Sequence, residues 1–409
     1  MIDFVPRPYK LFNKIQHYEW GTRDGEAFIP KFLGQQARPD TPYAELWIGA
    51  HPKAPSEIEI EGSRFPLDKI IDQHRIECLG RYVSEKFSGR LPFLLKVLSA
   101  AHALSIQTHP DKEQAVRLHA SHPDHYPDDN HKPEIAIALD GLTALVGFKP
   151  AEKIADTLRA VPEIGEFAGQ RIFNNVVSPA SEDARESAVK ELYKDIMRNG
   201  GEKERLSSCI RKIRERLTKK VPRTAEEIQF LNQYELFGDD VGLFSFFFFN
   251  LVELKPGQAI FTGAGIPHAY IQGNIVECMA NSDNVVRAGL TNKFKDVETL
   301  LDIMRYEFSD CTIMNSEQKQ DEVVYDAGAE EFRLTHVHKG GGFKRACRSN
   351  DRPSVCLITG GEAEIVWSLA GAEHLKRISK GESFFIPAFL EEFRISSSSG
   401  VDYFTVDIP

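Results

Sequence analysis

Gly257-Gln-Ala-Ile-Phe-Thr-Gly-Ala-Gly-Ile-Pro-His268-Ala-Tyr-Ile-Gln-Gly273 is the stretch on which the reading of this chain turns. A turn glycine leads into an apolar strand, a glycine-rich bend follows, and Pro267-His268 opens the next strand. That grammar sets an imidazole at the mouth of a β-barrel, pointing inward. Matching ligands stand far upstream, in Gln107-Thr-His109-Pro-Asp-Lys112 and His131-Lys-Pro-Glu134. Gln107, His109, Glu134 and His268 together offer two imidazole nitrogens and two oxygens, a mixed set suited to a borderline divalent ion.

Outward from this segment, the chain divides by texture. Up to about residue 150, short apolar runs alternate with turn residues, which reads as mainly β. Strands are predicted over 91–98 and 134–139, and a helix over 110–119, opened by proline with acids in its first turn. From 151 to 238 the pattern is helical. Apolar residues recur at helical spacing between Ala184 and Met197, a charged amphipathic run covers 203–220, and Thr224-Ala-Glu-Glu227 is a capping box. The aromatic run Leu243-Phe-Ser-Phe-Phe-Phe-Phe-Asn-Leu-Val-Glu-Leu254 is apolar on both faces and reads as a strand inside a barrel or sandwich.

From 317 to 409 short strands and Gly, Pro and Ser turns dominate. Lys380-Gly-Glu-Ser-Phe-Phe-Ile-Pro-Ala-Phe-Leu-Glu-Glu392 aligns without gaps on the opening segment, Gly381 on Gly257. Glu392 then falls where His268 stands. Upstream, Gly360-Gly-Glu-Ala-Glu-Ile resembles the first motif of a cupin barrel. The expected fold is mainly β with an α insertion. It comprises two cupin-like jelly-roll β-barrels plus a helical domain: a catalytic barrel from 1–150 and 239–316, the insertion at 151–238, and a C-terminal barrel at 317–409 without a metal site.

Composition bounds the function. The chain has 409 residues and a formal charge of −10, which disfavours a general nucleic-acid or acidic-membrane binder. Its six cysteines show no CxxC or finger-like spacing, so they are expected to be reduced, as in a cytoplasmic protein. The N-terminus lacks a signal-peptide core, no run approaches transmembrane length, and a monomer is the default expectation. No GxxxxGK loop or dinucleotide fingerprint is present. His336-Val-His338 follows strand alternation and is read as structural.

Several long motifs carry a resemblance. Tyr18-Glu-Trp-Gly21, Ala44-Glu-Leu-Trp-Ile-Gly-Ala-His-Pro-Lys-Ala-Pro-Ser56, Gln107-Thr-His-Pro-Asp-Lys112, His131-Lys-Pro-Glu134 and Glu277-Cys-Met-Ala-Asn-Ser-Asp-Asn-Val-Val-Arg-Ala-Gly-Leu-Thr291 resemble the type I phosphomannose isomerases, in family order. The resemblance implies a zinc enzyme, one Zn2+ per chain, that interconverts mannose 6-phosphate and fructose 6-phosphate. It also implies Gln107, His109, Glu134 and His268 as the zinc ligands.

Aldose–ketose isomerisation moves a proton between the carbons beside the carbonyl, through a cis-enediol whose oxygens gather negative charge. A metal with Arg287, always cationic and fork-shaped, suits that charge. The proton carrier stays open among Glu277, Asp283 and Lys132. Lys96, Ser105, Lys132, Arg287 and Lys293 are candidates for the phosphate, and Trp20 for the apolar face of the sugar. Two rivals are weaker. A cupin dioxygenase would need a histidine-rich facial set, which Gln107 does not fit. A non-catalytic sugar-phosphate-binding cupin would not be expected to keep the full ligand set together with Arg287 and Lys293.

Overall fold

The computed structural model describes residues 4–314 and 321–409, so the boundary expected at 316–317 lies outside the described residues. Two nine-stranded antiparallel sheets dominate. The first runs in the order Ala259–Thr262, Glu134–Phe148, His268–Ala280, Phe93–Ala100, Glu45–Gly49, Lys14–Gln16, with Ile106–Thr108, Val286–Gly289 and Phe249–Leu254 attached at its sides. The second is formed by strands between Glu322 and Asp407, joined by Tyr9–Lys10 from the start of the chain. Among the described residues no helix is long and apolar enough to cross a membrane.

Strand alternation decides what each face of the first sheet carries. Leu46, Ile48, Leu95, Val97, Ile135, Ile137, Val276 and Cys278 point to one side. There they share a core with Leu334, Val355, Leu357, Phe385, Phe404 and Val406 of the second sheet. The intervening residues face the other way, so Glu45, Trp47, Lys96, Glu134 and Glu277 occupy the interior of the first sheet. Register aligns them: Trp47 pairs with Lys96, and Lys96 with Glu277. A polar inner row is thus set by the same strands whose outer row is wholly apolar.

The repeat seen in the sequence is visible in the elements. Ala259–Thr262 and Ser383–Ile386 begin the same distance after Gly257 and Gly381, and His268 and Glu392 each open the following strand. Both glycines have positive φ, 79° and 86°, a backbone that side-chain-bearing residues rarely adopt. His336 and His338 lie on one strand and both engage Asp402, at 3.0 and 2.8 Å.

The helices fall where the periodicity predicts, at Glu182–Asn199, Lys203–Lys219 and Ala225–Phe237, the last with the Thr224–Glu227 capping box formed. The helix predicted over 110–119 forms two residues later, at Lys112–Ser121, because Asp111 takes the N-cap and its carboxylate accepts from Gln114 N. The aromatic run departs from the strand reading. Val241–Phe244 is a 3-10 turn, Ser245–Phe248 a helical turn, and only Phe249–Leu254 a strand. Asp240 caps the turn through Gly242 N at 2.7 Å, and Phe244 and Phe246 to Phe249 are all fully buried. Their side chains join one apolar core, because the run passes between the first sheet and the helices. Period 2 cannot be read where no face is polar.

Phe148, at the end of its strand, joins sheet and helices. Its ring meets Tyr193 of the Glu182–Asn199 helix at 5.1 Å and Phe249 at 4.9 Å, both edge-on. Phe148→Ala is expected to lower stability by about 3–5 kcal/mol, measured by denaturant unfolding. A loss below about 1 kcal/mol would mean that the helices do not depend on this joint.

Candidate metal centre and active site

Each polar side chain of the site is delivered by its backbone. His109 follows the short strand Ile106–Thr108, in which Gln107 pairs with His268 on one side and with Arg287 on the other. Glu134 opens its long strand opposite Thr262. The glycine-rich bend before His268 is held to the His109 segment, because Gly265 N donates to the His109 carbonyl at 2.8 Å. Four segments distant in sequence therefore meet at one end of the first sheet.

His109, Glu134 and His268 are buried, and their ligand atoms lie within 4.8 Å of one another. His109 Nδ1 faces the Asn284 carbonyl at 2.7 Å and His268 Nδ1 the Ile266 carbonyl at 3.0 Å. A carbonyl only accepts, so each ring carries its proton on Nδ1 and leaves the Nε2 lone pair free. Those lone pairs point at Glu134 Oε2, 3.5 Å from His109 and 3.2 Å from His268. His109 Nε2 makes no hydrogen bond.

Burial, then the Lys132 ammonium, pulls the His109 pKa down to about 4, so the ring is neutral near pH 7. Burial opposes ionisation of Glu134, but the Lys132 ammonium outweighs it and holds the carboxyl well below the usual range. Lys132 Nζ stands 2.5 Å from Glu134 Oε1. The Gln107 amide nitrogen, a donor, lies 3.4 Å from His268 Nε2. Two ring nitrogens and a carboxylate oxygen converging this closely in a buried site suit a cation between them. The donor set fits one.

A second buried group lies along the same interior. Lys96 Nζ is 2.9 Å from Glu277 Oε2 and 3.6 Å from Glu45 Oε2, over the Trp47 ring at 5.5 Å. Trp47 donates its indole N–H to Glu45 Oε2 at 2.5 Å. Burial raises the Glu277 pKa; Lys96 lowers it, and Glu134 adds to the rise. Burial alone would lower the Lys96 pKa, but Glu277 and Glu45 raise it.

Asp283 is committed elsewhere, 2.8 Å from Lys53 Nζ and 3.6 Å from His51 Nε2. Arg287 is half-buried and its pKa is lowered by desolvation. Lys293 is lowered by burial and by Arg287, so these two cations sense each other. Among the described residues neither has a carboxylate partner. Lys293 lies over the Tyr18 ring at 5.8 Å, and Tyr18 stacks on Trp20 at 5.7 Å. Ser105 is half-buried just before the Gln107 strand.

Sequence reasoning did not single out Glu45 or Tyr270. Glu45 was visible as the one charge in the buried strand Glu45–Gly49. Tyr270 follows His268 by two residues, hence on the same face. It is buried with its hydroxyl unpartnered, and its pKa is raised by burial and by Glu277 and Glu134.

A family model for the catalytic domain of phosphomannose isomerase type I matches residues 9–151. The mannose-6-phosphate isomerase of Aspergillus fumigatus is 36% identical over 442 residues, covering 96% of this chain and 93% of that protein. This chain belongs to the mannose-6-phosphate isomerase family. The Mus musculus mannose-6-phosphate isomerase is 38% identical over 356 residues, covering 80% of this chain and 81% of its own length. A mutant phosphomannose isomerase from Salmonella typhimurium, solved by crystallography, superposes with a TM-score of 0.84 at 28% identity, covering 97% of this chain and 98% of that one. A mannose 6-phosphate isomerase crystallised with zinc and yttrium reaches 0.82 at 28% identity, covering 97% and 98%. The chain is therefore an enzyme of the mannose-6-phosphate isomerase class, and the buried site just described lies partly within the matched catalytic segment.

Lys96→Met leaves Glu277 and Glu45 buried without their cation, and is expected to cost about 3–5 kcal/mol at pH 8. With Lys96 gone, the largest offset to the rise that burial imposes on Glu277 is lost, and only the weaker pull of Lys132 remains. A raised folded pKa lends stability below the unfolded value and loses it as pH rises through the folded value. The variant should therefore be less impaired at pH 5 than at pH 8 in denaturant titrations. An equal loss at both pH values would contradict the assignment.

Proposed function

We propose that this chain interconverts mannose 6-phosphate and fructose 6-phosphate with one Zn2+ held by Gln107, His109, Glu134 and His268. The observation that carries the metal reading is the convergence of two imidazole lone pairs on a buried carboxylate, each ring fixed by a backbone carbonyl. The ion, when bound, supplies a Lewis acid beside the sugar carbonyl. The zinc-bound relative supports the choice of ion.

The chain's own residues divide the remaining work. Glu277 is the general base that carries a proton between the two carbons through a cis-enediol. Its carboxylate is buried with a raised pKa, as a base working near neutral pH requires. Lys96, paired with it, serves to keep that carboxylate ionised and in place. Asp283, tied to Lys53 and His51, and Lys132, tied to Glu134, act by orienting their neighbours. Arg287, half-buried, and Lys293, exposed, are cations without carboxylate partners among the described residues, suited to oxyanion and phosphate, with Ser105 as a hydroxyl donor. Trp20, stacked on Tyr18, offers an apolar face to the sugar.

In this reading residues 1–150 and 239–316 form the catalytic cupin-like jelly-roll barrel and 151–238 a helical insertion. Residues 317–409 form a second cupin-like barrel, in which Glu392 at the His268 position supports the lack of a metal site. A cytoplasmic monomer acting on a small sugar phosphate, without nucleic-acid or membrane partners, completes the proposal.

A coupled assay with mannose 6-phosphate, reading fructose 6-phosphate, tests the reaction and the ion together. Chelation should abolish turnover and Zn2+ restore it. No turnover by a folded, zinc-loaded sample would contradict the assignment. Glu277→Gln should lower kcat by a factor of roughly 10²–10⁴ while keeping its zinc. An unchanged kcat would remove Glu277 as the base.

A further inference from the structure

One carboxylate outside the ligand set ties together the segments that deliver it. Asp128 lies in the turn leading to Lys132 and Glu134. Its side chain accepts from Asn130 N at 3.1 Å, Ser282 Oγ at 2.8 Å, Asp283 N at 2.7 Å and Asn284 Nδ2 at 3.2 Å. The Asn284 amide also donates to the Asp128 and Asn130 carbonyls, at 2.7 and 2.9 Å, and Asn284 N donates to Ser282 Oγ at 3.2 Å. Asn284 is fully buried. Its own carbonyl is the atom that receives His109 Nδ1 at 2.7 Å.

We infer that Asp128 and Asn284 are positioning residues for metal binding, a clamp that orients the Asn284 carbonyl and through it fixes the His109 imidazole. The inference rests on the metal reading above and deepens it. The physical argument is one of degrees of freedom. The 281–285 loop joins the strand ending at Ala280 to the strand Val286–Gly289, and a loop carbonyl turns freely unless the residue bearing it is held. Here Asn284 is held at its N–H and at its side-chain amide, and most of those contacts end on the 128–130 turn. The peptide plane is thereby set, and with it the ring that bonds to it. The same clamp joins the segment bearing Glu134 to the loop that runs on to Arg287. An outer partner to a metal-binding histidine typically contributes 10- to 100-fold in metal affinity.

The test compares Asp128→Asn and Asn284→Ala with the native chain. Asn284→Ala keeps the backbone carbonyl and loses only the amide. Zn2+ dissociation constants are measured by chelator competition, alongside the melting temperature of each metal-free protein. Both folded variants should bind Zn2+ 10- to 100-fold more weakly. A lowered melting temperature with an unchanged Zn2+ dissociation constant would overturn the clamp and leave an ordinary loop contact.

Nitrogen-15 spectra of histidine-labelled, metal-free native protein give an independent reading that needs no variant to fold. His109 should appear as the Nδ1–H tautomer, and an Nε2–H tautomer overturns the inference. A native chain that binds no Zn2+ would strike at the metal reading itself, and the His109 tautomer would still judge the clamp.

Discussion

The site depends on an arrangement that is unfavourable by itself. Two imidazoles and a carboxylate are buried with their ligand atoms facing one another, and His109 Nε2 makes no hydrogen bond. Left alone, such a cluster would move apart or take up a proton, since unpaired buried acceptors cost roughly 1–3 kcal/mol each. Each ring is held from behind by a backbone carbonyl and the carboxylate by an ammonium. A cation at the centre would turn this repulsion into coordination.

Fold and site are connected through strand alternation. The outward residues of the Phe93–Ala100 and His268–Ala280 strands build a core shared with the second sheet, and the inward ones build the Lys96–Glu277–Glu45 group. A slip of one residue in register would bury the charges in the apolar core and expose the apolar row to the polar interior. The shared core therefore enforces the position of the proposed base as firmly as any contact within the site. It also gives the C-terminal strands a role in the chemistry, as the surface against which the catalytic sheet is set.

Much of this was legible in the sequence. Gln107, His109, Glu134 and His268 stood out because their motifs combine ligand types with turn residues that fix their direction. The repeat around Gly257 and Gly381 was legible because a positive-φ turn keeps its glycine. The Lys96–Glu277–Glu45 group was not, since it is made by lateral strand pairing between residues far apart in the chain, and period 2 does not state which strands are neighbours. The run from Leu243 misled because burial on all sides erases periodicity. The Asp128 clamp was hidden for a third reason: its contacts run largely between side chains and backbone of two loops, which carry no periodic signal.

The central claim is that His109, His268 and Glu134 close on a metal ion. X-ray absorption at the zinc edge of the zinc-loaded protein tests it directly. The account predicts two imidazole ligands with the remaining ligands oxygen, all at about 2.0–2.2 Å. A spectrum without histidine, or with sulfur near about 2.3 Å, would place the ion elsewhere and contradict it.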